Sequence, residues 1–259
     1  MKRKAKILAD RFIETISAWD AVECIALNEA ALPDTLDPYF ALILDVYHTG
    51  VIPSFTERRD AYGDDIAALE TSALQTKDRF LVGGLPVRIE FKAMAKVDEI
   101  VDIADKRMEQ LWLIKDSGTY MFYRLARGMI LYQRSSWLDD IRSRLDALGD
   151  EFWRQMRDAH ESKMEHFLSD LGAALMQGDD FHYLISSAGF IKNACVVLFC
   201  ANKQFEPSHR GFYAQVKDLP LLPAEFVGRF ESFLRNDSEM TVERKYSLAQ
   251  LIAKSVLSL

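Results

Sequence analysis

The sequence has few cysteines, no long apolar run and no excess of positive charge, and each shortage excludes a class of protein. Its three cysteines lie in apolar surroundings without metal-ligand spacing, which indicates buried, reduced thiols and no disulfide framework. The longest apolar runs are far shorter than the roughly 20 residues of a membrane-spanning helix. The basic residues of 1–6 are not followed by the uninterrupted apolar core of a signal peptide. We therefore expect a cytoplasmic protein with no membrane segment.

Positive charge is scarcer than negative charge. The 32 Lys and Arg residues against 39 Asp and Glu residues give a net charge of −7. Because an acidic surface repels phosphate, we expect no broad nucleic-acid-binding face, although a local basic pocket is compatible with the total. The 49% of apolar residues in 259 residues is enough to form a substantial core.

Hydrophobic periodicity divides the chain in two. The first part mixes a helix over 4–19 with strands over 22–27, 41–47, 79–82 and 87–91, the last two joined as a hairpin by Gly83-Gly84. A short helix is expected from Thr56 to Gly63, and 66–72 fits either a strand or a continuation of it. Beyond Lys96 the period is helical, over 97–109, 117–133, 137–148, 151–177, 179–203, 222–235 and 239–257.

Mixed elements followed by helices alone predict an α+β protein. We place a mixed β-sheet domain with flanking helices over 1–112 and an all-α helical bundle over 113–259. A cleft between two folded units is a common place for a small ligand.

Two acidic residues lie inside predicted apolar strands. Asp45 belongs to the strand over 41–47, and Glu90 belongs to the strand over 87–91. A buried carboxylate without a partner costs several kcal/mol or becomes protonated. If the two strands are neighbours, the two acids converge, and a shared cation would satisfy both. The alternative is that Asp45 caps the following turn while Glu90 pairs with Lys92 or Arg88, and the residues alone leave both open.

Arg79 is a candidate anion-binding residue. It precedes the predicted hairpin in Lys77-Asp78-Arg79, and its planar guanidinium suits phosphate or carboxylate. The alternative is a solvated charged turn.

A segment over 203–217 holds the strongest local group of positive charge in this acidic chain. We predict a loop there, since Pro207 and Gly211 interrupt the helical pattern. Such a loop suits an anionic ligand, or alternatively it neutralises neighbouring acids. Its basic residues are Lys203, His209, Arg210 and Lys217.

The order of helix, strand, turn, acidic strand, acidic hairpin and helical bundle resembles the nucleotidyltransferase superfamily of the DNA polymerase β type. It is most similar to bacterial small-molecule nucleotidyltransferases with helical C-terminal domains. The segment over 202–210, Asn-Lys-Gln-Phe-Glu-Pro-Ser-His-Arg, is similar to that family's Asn-Arg-x-Tyr-x-Pro-x-Lys.

The resemblance implies magnesium-dependent transfer of a nucleotidyl group from a nucleoside triphosphate to a hydroxyl acceptor. It assigns catalysis and metal binding to Asp45 and Glu90. It places the nucleotide, or another small anionic ligand, in the interdomain cleft, where it would be bound by Arg79, Lys203, His209, Arg210 and Lys217.

The chain departs from the family pattern at two positions. Asn28-Glu29 replaces the Gly-Ser turn, and Ala41 and Ile43 stand where the Asp-x-Asp pair is expected. Magnesium requires oxygen ligands, which neither Ala nor Ile supplies. These departures predict an impaired or lost activity. The alternative function is a non-catalytic module that senses a nucleotide or binds a protein partner through the helical bundle.

Overall fold

The computed structural model describes residues 3–28, 41–115, 118–236 and 239–259. The chain forms two compact units. The first comprises residues 1–114 and 121–147, and the second comprises residues 115–120 and 148–259. This division differs from a boundary near residue 112 because 121–147 belong with the first unit.

A six-stranded sheet forms the centre of the first unit. Its order is β3-β4-β5-β2-β1-β6; β2 and β5 are parallel, and every other pair is antiparallel. The elements are α1 (Arg3–Ser17), β1 (Val22–Leu27), β2 (Leu42–His48), α2 (Phe55–Tyr62), β3 (Ile66–Thr71), β4 (Lys77–Val82), β5 (Leu85–Ala93), α3 (Met94–Asp105), a 3-10 helix (Met108–Leu113), α4 (Tyr120–Arg127), β6 (Met129–Gln133) and α5 (Trp137–Asp146).

Helix α1 covers one face of this sheet. Its residues Ala5, Ala9, Phe12 and Ile16 recur at helical spacing and are fully buried. Phe12 and Ile16 belong to a core with apolar residues of β1, β2, β4 and β5. The predicted mixed sheet, its flanking helices and the hairpin at Gly83-Gly84 are confirmed.

The predicted helix over 117–133 is wrong in its second half. Helix α4 ends at Arg127, and residues 129–133 form β6, which pairs with β1. The chain turns at Gly128, where a Cβ would lie 2.8 Å from the carbonyl oxygen of Arg124 and 3.4 Å from that of Leu27. In an apolar run as short as 129–132, periodicity does not distinguish a strand from a helix. Here the segment forms a strand because it pairs with β1.

The second unit is helical in its described part. It contains α6 (Asp150–Gln177), α7 (Asp180–Ala201), α8 (His209–Lys217), α9 (Phe226–Leu234) and α10 (Val242–Leu257). Helix α6 ends at Gly178 in the left-handed conformation, and the Asp179 side chain caps α7 by accepting from the His182 backbone N–H at 2.9 Å. The predicted loop over 203–217 is wrong in its second part, because residues 209–217 form α8.

Helix α7 forms the core of this unit. Within the described ranges, it alone is long and apolar enough to cross a membrane by length and composition, yet 56% of its apolar window is buried inside the fold. Phe190, Ala194 and Leu198 are fully buried in the core of this unit.

The cysteines are buried and free, as the sequence predicts. Burial raises the pKa of the Cys24 and Cys200 thiols to about 12, so they are protonated at neutral pH.

Candidate functional site

Asp45 and Glu90 lie opposite each other on adjacent strands. They are register partners in the parallel pair β2 and β5, so their side chains project from the same face of the sheet. Asp45 is fully buried and Glu90 is 7% exposed. The structure thus brings the two acids together, as the sequence indicates.

The group between these acids is the guanidinium of Arg124, from α4. Its Nη2 donates to Glu90 Oε2 at 2.9 Å and also contacts Asp45 Oδ1, while its Nε donates to Asp45 Oδ2 at 3.2 Å. Burial alone would lower the pKa of Arg124, but the two carboxylates outweigh it and raise that pKa. Arg124 therefore carries a permanent charge at the point where the two acids converge.

Helix α4 is held in place by a second arginine. Arg142 of α5 donates from Nε to the carbonyl oxygen of Leu125 at 3.0 Å, and its Nη2 contacts the carbonyl oxygen of Gly128. Leu125 lies in the last turn of α4 and Gly128 directly follows that helix, where carbonyl groups lack a partner within a helix. Arg142 thereby satisfies them and fixes the helix that carries Arg124.

Two lysines complete a group that we name the Arg124 cluster. Lys92 Nζ lies 3.0 Å from Asp45 Oδ1, and Lys77 Nζ lies 3.3 Å from Glu90 Oε1. Three positive side chains therefore face two negative ones. The cluster is Asp45, Glu90, Lys77, Lys92 and Arg124.

Burial and neighbouring charges act in opposite directions on the pKa of Glu90 and on that of Lys92. Burial would raise the pKa of Glu90, but Arg124, Lys92 and Lys77 lower it below its usual value. Burial is the larger influence on Lys92, and it lowers the pKa of that amine despite the attraction of Asp45.

These residues do not fit a magnesium ion. Magnesium takes six oxygen ligands at short distance, whereas the oxygens of Asp45 and Glu90 already accept from cationic side chains. Among the described residues, no group of three or more His, Cys, Asp or Glu side chains is placed to hold a metal ion. The cation shared by these two acids is the guanidinium of Arg124.

Ala41 and Ile43, where the resemblance leads us to expect an Asp-x-Asp pair, lie beside further arginines. Ile43 is the register partner of Arg88 on β5. Ala41 lines a cavity of about 310 Å³ on the first unit, together with Arg79, Arg88 and Glu70. The predicted residue Arg79 is opposite Arg88 on β4, so both lie on the face that carries the Arg124 cluster. Glu29 and the residues of 36–40 in the predicted motif lie outside the described residues.

The other predicted anion-binding residues belong to the second unit, and two of them have separate acidic partners. Lys203 Nζ lies 2.5 Å from Asp150 Oδ1, and Lys217 Nζ lies 3.1 Å from Glu231 Oε1. His209 and Arg210 begin α8, whereas Lys217 ends it. With a rise of about 1.5 Å per residue, the two ends of α8 are about 12 Å apart, so they do not converge on one phosphate.

Comparisons with known proteins find matches among solved structures. No protein-family model matches the chain, and no curated protein matches its sequence. Among solved structures, the chain is similar to a nucleotidyltransferase-like protein from Exiguobacterium sibiricum 255-15, with 13% sequence identity and a TM-score of 0.49. The similarity covers 98% of this chain and 74% of that one.

Proposed function

We propose that the chain is a nucleotidyltransferase-like protein that binds a phosphate-bearing ligand without a metal ion and does not transfer nucleotidyl groups. The observation that carries this proposal is the Arg124 guanidinium, which lies between the two carboxylates to which the resemblance assigns the metal.

A guanidinium between the two carboxylates disfavours nucleotidyl transfer. Metal-assisted nucleotidyl transfer needs cations that coordinate the phosphate oxygens and activate the attacking hydroxyl. A guanidinium can donate hydrogen bonds to phosphate, but it cannot coordinate a hydroxyl or lower its pKa as a metal does. Asp45 and Glu90 are both engaged with cations, so neither is available as a general base.

Anion binding is favoured by the excess of positive charge on the same face. The Arg124 cluster has one more positive than negative side chain, and Arg88 lies 4.0 Å from Glu90 at its edge. Arg88 is 39% exposed in its side chain, and with Arg79 it lines the neighbouring cavity. Two guanidinium groups beside a cavity suit the oxygens of a phosphate. We therefore place the phosphates of the ligand at Arg79 and Arg88.

The test is thermal unfolding with ATP, GTP, CTP, UTP or tripolyphosphate, each in EDTA and in magnesium. We expect stabilisation in EDTA, which reaches about 2.7 kcal/mol when the ligand is at a hundred times its Kd. The double variant Arg79→Gln/Arg88→Gln should lose it. Arg59→Gln is the matched control, because Arg59 is an exposed arginine of the same unit that pairs with Asp60.

Two results would count against the proposal. One is stabilisation that requires magnesium and disappears in Glu90→Gln, which would indicate a working metal site. The other is magnesium-dependent release of pyrophosphate from any of the four nucleotides in the presence of hydroxyl acceptors. Absence of stabilisation by every ligand would remove the phosphate-binding part of the proposal.

A further inference from the structure

A cavity in the second unit is separate from the Arg124 cluster. It is open to solvent on one side, has a volume of about 360 Å³ and is lined by residues of three helices, α7, α8 and α9. Its apolar walls come from Ile191 and Cys195 on α7, Phe212 and Tyr213 on α8, and Phe230 and Leu234 on α9. A volume of this size and a mostly apolar lining are typical of sites for small ligands.

The aromatic walls of this cavity are held in place by contacts with one another and with neighbouring residues. The Phe212 ring packs edge-on against Phe199 at 5.3 Å between ring centroids. Tyr213 stacks on Phe230 at 5.7 Å, and its hydroxyl donates to Glu231 Oε1 at 3.1 Å. Rings fixed in this way lose little conformational freedom when a ligand binds, so the cavity is preorganised.

The polar residues of the lining are basic. Lys192 follows Ile191 on α7, and His209 begins α8. No acidic residue is among the side chains that line the cavity. Lys192 also lies close enough to the buried carboxyl of Glu206 to oppose the rise that burial causes in the pKa of that acid. Among the residues that line the cavity, the positive side chain of Lys192 therefore favours an anionic group.

We propose that this cavity binds a small apolar monocarboxylate. The apolar body lies among the rings of Phe212, Tyr213 and Phe230, and the carboxylate lies toward Lys192 and His209. A single negative charge matches one lysine beside a histidine, whereas a dianionic phosphate would lose more solvation among walls that are mainly apolar. The inference does not rest on the phosphate-binding face of the first unit.

The first experiment compares 2-naphthoate with its uncharged analogue 2-naphthamide by ligand-observed NMR titration of the full chain. We expect the acid to bind about tenfold more tightly, as for one charge-assisted contact at a partly exposed site. In Lys192→Gln the two affinities should become equal. The control is Lys254→Gln, which removes one exposed lysine from α10, away from the residues of the cavity.

The second experiment fills the cavity. Leu234 is 46% exposed at the end of α9, so Leu234→Trp places a large ring at the opening without burying it in the core. We expect loss of binding of both compounds, with an unchanged circular dichroism spectrum and unfolding midpoint. Ile191→Trp is a second filling variant if the first one is unstable.

Three results would overturn the inference. They are equal affinity of the wild type for the acid and the amide, unchanged binding in both filling variants, and no binding of 2-naphthoate at all. Stabilisation by nucleotides in EDTA should be the same in Leu234→Trp as in the wild type, which separates this site from the one proposed on the first unit.

Discussion

The two faces of the central sheet each carry a buried ionic group, and the two groups differ in how far they are exposed to solvent. On the face toward α1, Arg58 is 1% exposed and Asp78 is fully buried. Arg58 donates to Asp78 through Nε at 2.8 Å and Nη2 at 2.9 Å, and the Tyr62 hydroxyl donates to the same carboxylate at 2.7 Å. On the opposite face, the Arg124 cluster reaches solvent through Lys77, whose side chain is 33% exposed.

The difference indicates which group maintains the fold and which can take part in binding. Arg58 and Asp78 form a balanced pair, and the remaining donors of Arg58 reach backbone carbonyls such as that of Pro53 at 2.7 Å. A closed and balanced pair has no spare charge for a ligand. The Arg124 cluster has spare positive charge and an exposed edge, so a ligand can exchange contacts with it.

The largest effect is expected for Arg58→Met. It leaves Asp78 buried without its ionic partner, which costs about 3–5 kcal/mol. Urea unfolding followed by circular dichroism measures the change. Arg59→Met is the control, since its pair with Asp60 is exposed and contributes little.

A double variant sharpens that test. Arg58→Met/Asp78→Leu removes both charges and should be more stable than Arg58→Met alone, because no uncompensated carboxylate remains. Equal stability of Arg58→Met and Arg59→Met would show that the buried Arg58–Asp78 pair contributes no more to stability than an exposed pair does.

A smaller loss of stability, about 2–3 kcal/mol, is expected for Arg124→Met. The loss is limited because Lys92 still contacts Asp45, and Lys77 still contacts Glu90. Arg127→Met is the control, an exposed arginine of the same helix. The same variant should gain stabilisation by millimolar magnesium that the wild type lacks, since both carboxylates then lose their shared cation.

That gain of magnesium binding tests the comparison directly. If the wild type is stabilised by magnesium as strongly as Arg124→Met is, the guanidinium does not take the place of a metal. If neither protein responds, the two acids cannot form a site even when Arg124 is removed.

The sequence predicts the two acids of the Arg124 cluster, and it misses Arg124 and the Arg58–Asp78 pair. Asp45 and Glu90 are recognisable because each interrupts an apolar strand, and the parallel pairing of β2 with β5 completes the inference. Arg124 is 79 residues from Asp45 in sequence, on a helix whose docking no local pattern reports. Long-range contacts of this kind are decided by tertiary packing.

The Arg58–Asp78 pair did leave a signal in the sequence. Asp78 alternates with Phe80, so a period of two places it on the core face, although Lys77-Asp78-Arg79 resembles a solvated turn. Helices α6, α7, α9 and α10 follow from their period alone, while β6 and α8 do not. In both, glycine lies next to or within a short segment whose structure is determined by its neighbours.

An effect of about 1 kcal/mol is expected at the helix that carries Arg58. Ser54 caps α2, because its hydroxyl accepts from the Glu57 backbone N–H at 3.4 Å and Glu57 Oε2 accepts from the Ser54 N–H at 2.7 Å. Ser54→Ala removes the first of these bonds and should lower the free energy of unfolding by that amount. Ser72→Ala, in a turn of the same unit, is the comparison. A loss as large as that of Arg58→Met would mean that the cap itself positions the guanidinium.

The smallest expected effect is a change of stability with pH. It compares Glu90 of the Arg124 cluster with Glu206, a buried acid of the second unit. Arg124, Lys92 and Lys77 outweigh burial and lower the pKa of Glu90, so the unfolded chain binds its proton more readily than the folded one. This contribution to stability is present above the unfolded pKa and is lost as the pH falls through the folded pKa. Between about pH 5 and pH 3, the wild type should therefore lose more stability than Glu90→Gln.

Glu206, in the second unit, should change stability with pH in the opposite direction to Glu90. Burial raises its pKa more than Lys192 and Lys163 lower it. Its contribution is present below the unfolded pKa and is lost as the pH rises through the folded pKa, so Glu206→Gln should gain stability relative to the wild type above about pH 4.5. Urea unfolding of the three proteins across this range measures both slopes. A change of stability relative to the wild type that has the same sign in both variants would contradict this prediction. The surroundings of the carboxylate, cationic for Glu90 and mainly apolar for Glu206, would then not determine the pH dependence. Changes of opposite sign would show that these surroundings determine the pH dependence, because both variants replace a glutamate by the same uncharged residue.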